Sequence, residues 1–73
     1  MTVKLQGNCI VFDDGQTQTA FPKGTLVFQA NKPGTAIAVK TRGSRKTVLT
    51  VNIKDLGKSS IEEAMAYLGG LAY

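Results

Sequence analysis

Hydrophobic and polar residues alternate along the chain with a period of two, most clearly in residues 25–30 and 49–54. Successive side chains of a β-strand point to opposite faces, so this period predicts strands that have a core face and a wetter face. Glycine, proline and asparagine interrupt the pattern at short intervals, as is typical of tight turns. The pattern predicts six strands, near residues 2–6, 9–13, 16–21, 25–30, 36–41 and 46–54.

The turns between these strands are too short for parallel pairing. Parallel strands need crossover connections of a dozen or more residues, whereas antiparallel neighbours need only a tight turn. The expected fold is therefore mainly β (α+β): an antiparallel meander or small open β-barrel of about six short strands, with one C-terminal α-helix. We expect a single small domain over residues 1–73, with the sheet over about 2–54 and the helix over about 60–68.

The helix is predicted from its caps and its apolar face. Ser59-Ser60 precedes Glu62-Glu63 at the spacing of a capping box, and Gly69-Gly70 is expected to end the helix. Four apolar residues recur between these caps at helical spacing: Ile61, Ala64, Met65 and Leu68. A helix of about nine residues is not stable alone in water, so it must dock on the sheet or on a neighbouring subunit.

Composition indicates a small globular domain with an excess of basic residues. Of its 73 residues, 42% are hydrophobic and 19% are charged, as in ordinary globular proteins. No apolar run approaches the roughly 20 residues of a membrane span, and the N-terminus lacks the pattern of a secretory signal, so we expect no membrane partner. Nine Lys and Arg residues against five Asp and Glu give a net charge of +4. Nucleic acid or an acidic protein surface therefore becomes a candidate partner.

Few residues in the chain can support catalysis. There is no histidine, the commonest general base and metal ligand, and the single cysteine, Cys9, excludes an internal disulfide and a multi-cysteine zinc site. Asp13 and Asp14 fit a hairpin turn better than a catalytic pair, because strand neighbours point to opposite faces. We expect a non-enzymatic protein with no cofactor and no metal site.

The segment 52–59 ends in Gly-Lys-Ser, like a phosphate-binding loop. The nucleotide-binding motif needs a glycine where Asn52 stands, so the segment is better interpreted as a strand followed by a helix cap. A weak anion site at the start of the helix, with Lys58 beside free backbone amides, is the alternative.

A second group of candidate contacts surrounds Gly43-Ser44. Four basic residues would project there from one strand pair: Lys40, Arg42, Arg45 and Lys46. They could bind phosphates or an acidic protein patch. The alternative is a charged turn that keeps the sheet soluble and its edge unpaired, and the scarcity of aromatic residues for base stacking favours this second interpretation.

The segment 10–20 combines an Ile-x-Phe run, an Asp-Gly turn and a Thr-Gln-Thr tract. This resembles a short pattern that is common in bacteriophage tail-fibre and related virion proteins. The matching residues are Ile10, Phe12, Asp14, Gly15, Thr17, Gln18 and Thr19. Asp13, Gln16 and Ala20 depart from it, and the match covers about a sixth of the chain.

The resemblance implies a virion structural protein, such as a capsid decoration or tail-associated subunit. Such a protein would assemble with itself and with other virion proteins, and would lie in the virion after a period in the host cytoplasm. The polar residues Thr17, Gln18 and Thr19 are then the candidate assembly surface. The alternative is a small basic binding module, a phage-encoded effector that binds nucleic acid or a host protein through the hairpin 40–46.

Overall fold

The structure is a computed structural model that describes residues 1–72. Its elements, in chain order, are β1 (Thr2–Gln6), β2 (Cys9–Asp13), β3 (Gln18–Pro22), β4 (Leu26–Ala30), β5 (Ala36–Thr41), β6 (Thr47–Asn52), a 3₁₀ helix (Ile53–Leu56) and α1 (Ile61–Ala72). The prediction of a mainly β fold with six strands and one C-terminal helix is confirmed.

The strands form two antiparallel three-stranded sheets, β1-β2-β3 and β4-β5-β6. The meander breaks at the connection between β3 and β4, where two backbone amides bond to other parts of the fold. The Lys23 amide donates to the Asn8 carbonyl at 2.7 Å, and the Gly24 amide donates to the Ala72 carbonyl at 2.8 Å. Residues 23–25 therefore turn the chain from one sheet to the next without making a hairpin.

The core lies between the inner faces of the two sheets and the helix. Its buried residues are Val3, Ile10, Phe12, Leu26, Ile37, Val39, Val51, Ile53, Ala64, Leu68 and Ala72. Phe12 and Phe21 meet edge to face with ring centroids 5.9 Å apart, a favoured geometry for an aromatic pair. The alternation in β4 and β6 correctly predicts the burial of Leu26 and Val51.

Helix α1 packs against β1, β4 and β5. β1 and β4 are edge strands of the two sheets, so the helix contacts one edge strand of each sheet. The Tyr67 hydroxyl donates to the Val3 carbonyl of β1 at 3.0 Å. Within residues 1–72, the other two edge strands, β3 and β6, lie outside the main contacts of the helix.

The helix begins as predicted and ends later than predicted. The Glu63 amide donates to the Ser60 hydroxyl at 3.2 Å, which is the bond expected of an N-cap serine. The expected stop at Gly69-Gly70 is wrong, because α1 continues to Ala72. Ala72 is fully buried and its carbonyl accepts the Gly24 amide, so tertiary contacts hold the last turn despite two glycines that disfavour helix by about 1 kcal/mol each.

Two strand boundaries differ from the prediction by two residues, and three others differ by one. The sixth strand ends at Asn52 rather than residue 54, because residues 53–56 turn into the 3₁₀ helix, whose C-cap is Gly57 at φ 73°. The third strand begins at Gln18 rather than residue 16, because Asp14 holds the amides of Gln16 and Thr17 in the turn.

Candidate functional site

Three turns and the end of the helix meet at one end of the molecule. The β3–β4 turn reaches the β1–β2 turn through the Lys23–Asn8 bond and reaches the helix end through the Gly24–Ala72 bond. The β5–β6 turn joins them, because the Arg42 amide donates to the Thr25 carbonyl at 2.8 Å.

This end carries four exposed basic residues, which we call the basic pole: Lys23, Arg42, Arg45 and Lys46. The Arg42 guanidinium is held in place, because its Nε donates to the Gly24 carbonyl at 2.8 Å. The loop that carries Arg45 and Lys46 is ordered by two further bonds. The Ser44 amide donates to the Thr41 carbonyl, and the Lys46 amide donates to the Ser44 hydroxyl, each at 3.1 Å.

The opposite pole collects the other turns and the start of the helix. Asp13 at the β2–β3 turn pairs with Thr2, and the Met1 amino group donates to the Asp55 carbonyl at 3.3 Å. In the β4–β5 loop, Gly34 lies against Ile61, the first residue of α1. All five acidic side chains therefore lie toward this pole: Asp13, Asp14, Asp55, Glu62 and Glu63.

The fold thus separates charges that are spread along the sequence. Helix α1 has 12 residues and spans about 18 Å between the two poles. Outside the basic pole, five basic residues remain: Lys4, Lys32, Lys40, Lys54 and Lys58. They equal the five acidic residues in number, so the net charge of +4 is the charge of the basic pole alone.

Lys40 belongs to the predicted hairpin but not to the basic pole. Its ammonium donates to the Gln29 side-chain oxygen at 2.7 Å, across the outer face of the second sheet, and the residue is half-buried. The structure therefore brings together Arg42, Arg45 and Lys46 and adds Lys23, which the sequence reasoning missed. The sequence does place a lysine in the turn Pro22-Lys23-Gly24. It does not indicate that this turn contacts Arg42, because that contact forms only in the folded protein.

Lys58 lies near the start of the helix and contacts an aromatic ring. Its Nζ is 4.4 Å from the centroid of the Tyr67 ring, a cation–π contact that anchors the connection before α1. The first turn of the helix carries Glu62 and Glu63, whose charges oppose an anion at this position.

Asp13 and Asp14 are occupied within the β2–β3 turn. Asp14 Oδ1 accepts the amides of Gln16 and Thr17 at 2.8 and 2.7 Å, and Asp13 Oδ1 accepts the Gly15 amide at 2.8 Å. These backbone bonds lower the pKa of both carboxyl groups, with the Thr17 amide as the main cause at Asp14 and the Gly15 amide at Asp13. The arrangement agrees with a turn rather than a catalytic pair.

The predicted assembly residues do not form one face. Thr17 lies in the turn, Gln18 is exposed and donates through Nε2 to Asp13 Oδ2 at 3.0 Å, and Thr19 is half-buried opposite Phe12. Because successive strand residues face opposite sides, Gln18 and Thr19 are directed to different surfaces of the first sheet.

Two shallow cavities of about 360 Å³ each open on the second half of the chain. One has Ala36 and Ala38 in its lining, with Gln29, Lys32 and Thr50 beside them, and the other adjoins the 3₁₀ helix. Among residues 1–72, no three Asp, Glu or Cys side chains are grouped so that they could hold a metal ion. Across the same residues, no helix has the length and apolarity needed to cross a membrane.

No family model matches the chain, and neither a curated protein nor a solved structure is significantly similar to it.

Proposed function

We propose that this protein is a non-enzymatic binding module that attaches to an anionic partner through the basic pole. The observation that carries the proposal is the location of the net charge, because four basic side chains share one end of the molecule and the acidic side chains lie toward the other. A concentration of one charge sign on one surface raises the local concentration of an oppositely charged partner and orients it on approach.

The local geometry favours cooperation among the four charges. Lys23 and Arg42 are brought together by the bond from the Arg42 guanidinium to the Gly24 carbonyl, and Arg45 and Lys46 follow in the same ordered turn. Charges separated by less than about 8–10 Å act together at physiological salt. A partner with several adjacent negative groups could therefore contact neighbouring basic residues of these turns at the same time.

The test compares two double variants that have the same net charge. Arg45→Gln with Lys46→Gln removes two charges from the basic pole, and Lys32→Gln with Lys54→Gln removes two charges elsewhere. We expect the first variant to elute from a heparin column at clearly lower salt than the second. Equal elution would mean that total charge alone governs retention, which would contradict the proposal.

A second candidate function is a virion structural protein, a capsid decoration or tail-associated subunit that acts by protein–protein assembly. The observation that favours it is the pair of edge strands β3 and β6, which lie outside the main contacts of α1 within residues 1–72. An uncovered edge offers backbone amides and carbonyls to a strand of another chain. In this proposal the protein assembles with itself and with other virion proteins, in the host cytoplasm first and then in the virion.

A further inference from the structure

We infer that the partner of the basic pole is the phosphate backbone of double-stranded nucleic acid, bound without readout of the base sequence. This inference rests on the proposed function and names its partner class. Contacts to phosphate oxygens carry no sequence information and depend on Arg, Lys, hydroxyl and backbone amide donors.

The donors at the basic pole are of this kind. The guanidinium group of Arg45 can form paired hydrogen bonds to phosphate, and Lys23, Arg42 and Lys46 add positive charge beside it. Their neighbours Gly43 and Ser44 add no apolar bulk, so the phosphate backbone can come close to the turn.

An acidic protein partner fits the basic pole less well. Stable protein interfaces place apolar or aromatic anchors at their centre and charges at the rim. Here the turns at the centre of the pole carry charged and small residues, whereas the exposed Leu5, Val27 and Val48 lie on the strands β1, β4 and β6.

Single-stranded nucleic acid is also disfavoured, because its recognition relies on aromatic side chains that stack on the bases. Among residues 1–72, Phe12 and Phe21 pack on each other within the first sheet, and Phe28 packs against the core. The Tyr67 hydroxyl donates to the Val3 carbonyl, and the Tyr67 ring contacts the Lys58 ammonium. None of these rings is at the turns of the basic pole, so a duplex with its continuous rows of phosphates fits better.

The experiment measures binding of the full chain to a fluorescein-labelled duplex of about 20 base pairs by anisotropy, over a range of salt concentrations. Four phosphate contacts predict that log K falls against log salt with a slope between about −3 and −4, which is about a 100-fold loss from roughly 50 to 200 mM salt. A duplex of different base composition should bind equally, and the single strand more weakly.

Variants test whether the basic pole makes these contacts. Arg45→Gln with Lys46→Gln should make the salt slope shallower by about 2, whereas Lys32→Gln with Lys54→Gln should leave it unchanged. Both sites are exposed, and circular dichroism with urea unfolding checks that each variant remains folded. An unchanged slope in the Arg45 and Lys46 variant would overturn the inference.

A labelled poly-glutamate peptide separates this inference from the proposed function. Binding of poly-glutamate through the basic pole without binding of the duplex would overturn the nucleic-acid inference and leave the binding module in place. Failure to bind either probe would overturn both. Tighter binding of the single strand, or a strong preference for one duplex sequence, would also overturn the inference.

Discussion

The two aspartates of the β2–β3 turn illustrate how single residues determine local structure in this chain. A carboxylate can accept several hydrogen bonds, and Asp14 uses one oxygen for two successive backbone amides. The adjacent Asp13 binds the Gly15 amide and the Gln18 side chain. A sequence can predict such a turn from Asp-Gly alone, but not which of the two carboxylates holds which amide.

These bonds make the stability of the protein depend on pH in acidic solution. Because the pKa of each carboxyl group is lowered from 3.8 in the folded state, the stabilisation is complete above about pH 5 and is lost as the pH falls through the folded-state pKa. We expect the free energy of unfolding to decrease from about pH 5 to pH 2. Asp13→Asn with Asp14→Asn should make this decrease shallower, since the amide oxygen still accepts a bond but does not titrate. Urea unfolding across this range measures both slopes, and equal slopes would contradict the assignment.

At the scale of elements, α1 shows which helix boundary the sequence periodicity predicts and which it does not. The capping serine and the apolar spacing correctly predict the start of the helix and the burial of Ala64 and Leu68. The end of the helix could not be predicted, because Ala72 is held by Gly24, a residue 48 positions earlier. Local propensity favours a stop at Gly69-Gly70, and tertiary packing overrides it.

Truncation of Leu68 measures how much the packing of α1 on the sheets contributes to the free energy of unfolding. Leu68 is fully buried in the core, so Leu68→Ala should lower the free energy of unfolding by about 2–5 kcal/mol. Leu5 is 43% exposed, and Leu5→Ala should cost less than half as much because the same truncation there leaves little cavity. Equal losses in urea unfolding would mean that Leu68 does not carry the contact between helix and sheets.

The division of the strands into two sheets could not be predicted from the sequence either. Alternation identifies the core face of each strand, and short turns make neighbouring strands antiparallel. Both signals are the same whether six strands form one sheet or two. The difference lies at Lys23 and Gly24, whose amides bond to a distant turn and to the helix end, and no local pattern specifies those partners.

At the scale of the whole molecule, the distribution of charge emerges only from the fold. The sequence predicts a cluster at Lys40, Arg42, Arg45 and Lys46, but β5 directs Lys40 to the outer face of its sheet. Lys23 enters the cluster from another turn. Spacing along the chain could therefore identify most of the candidate site, while its boundary depends on contacts between sheets.

The assembly proposal predicts a property of the whole molecule, its mass in solution. If β3 serves as an interface, light scattering should give more than the mass of one chain, and Ala20→Lys should return it to one chain because an edge lysine blocks strand pairing. Ala20 is exposed in β3, and exposed Ala66 of α1 provides the control Ala66→Lys with the same charge change. A monodisperse, heat-stable monomer would count against assembly through this edge.

The hydrogen bonds of Met1 and Ala72 place the two ends of the described chain at opposite poles. Met1 is tied to Asp55 at one pole, and Ala72 is tied to Gly24 beside Arg42 at the other. A peptide or surface joined ahead of Met1 would leave the basic pole facing outward, whereas a fusion after residue 72 would emerge next to it. The direction of tethering alone would thus decide whether Arg45 and Lys46 are presented to a partner or shielded from it.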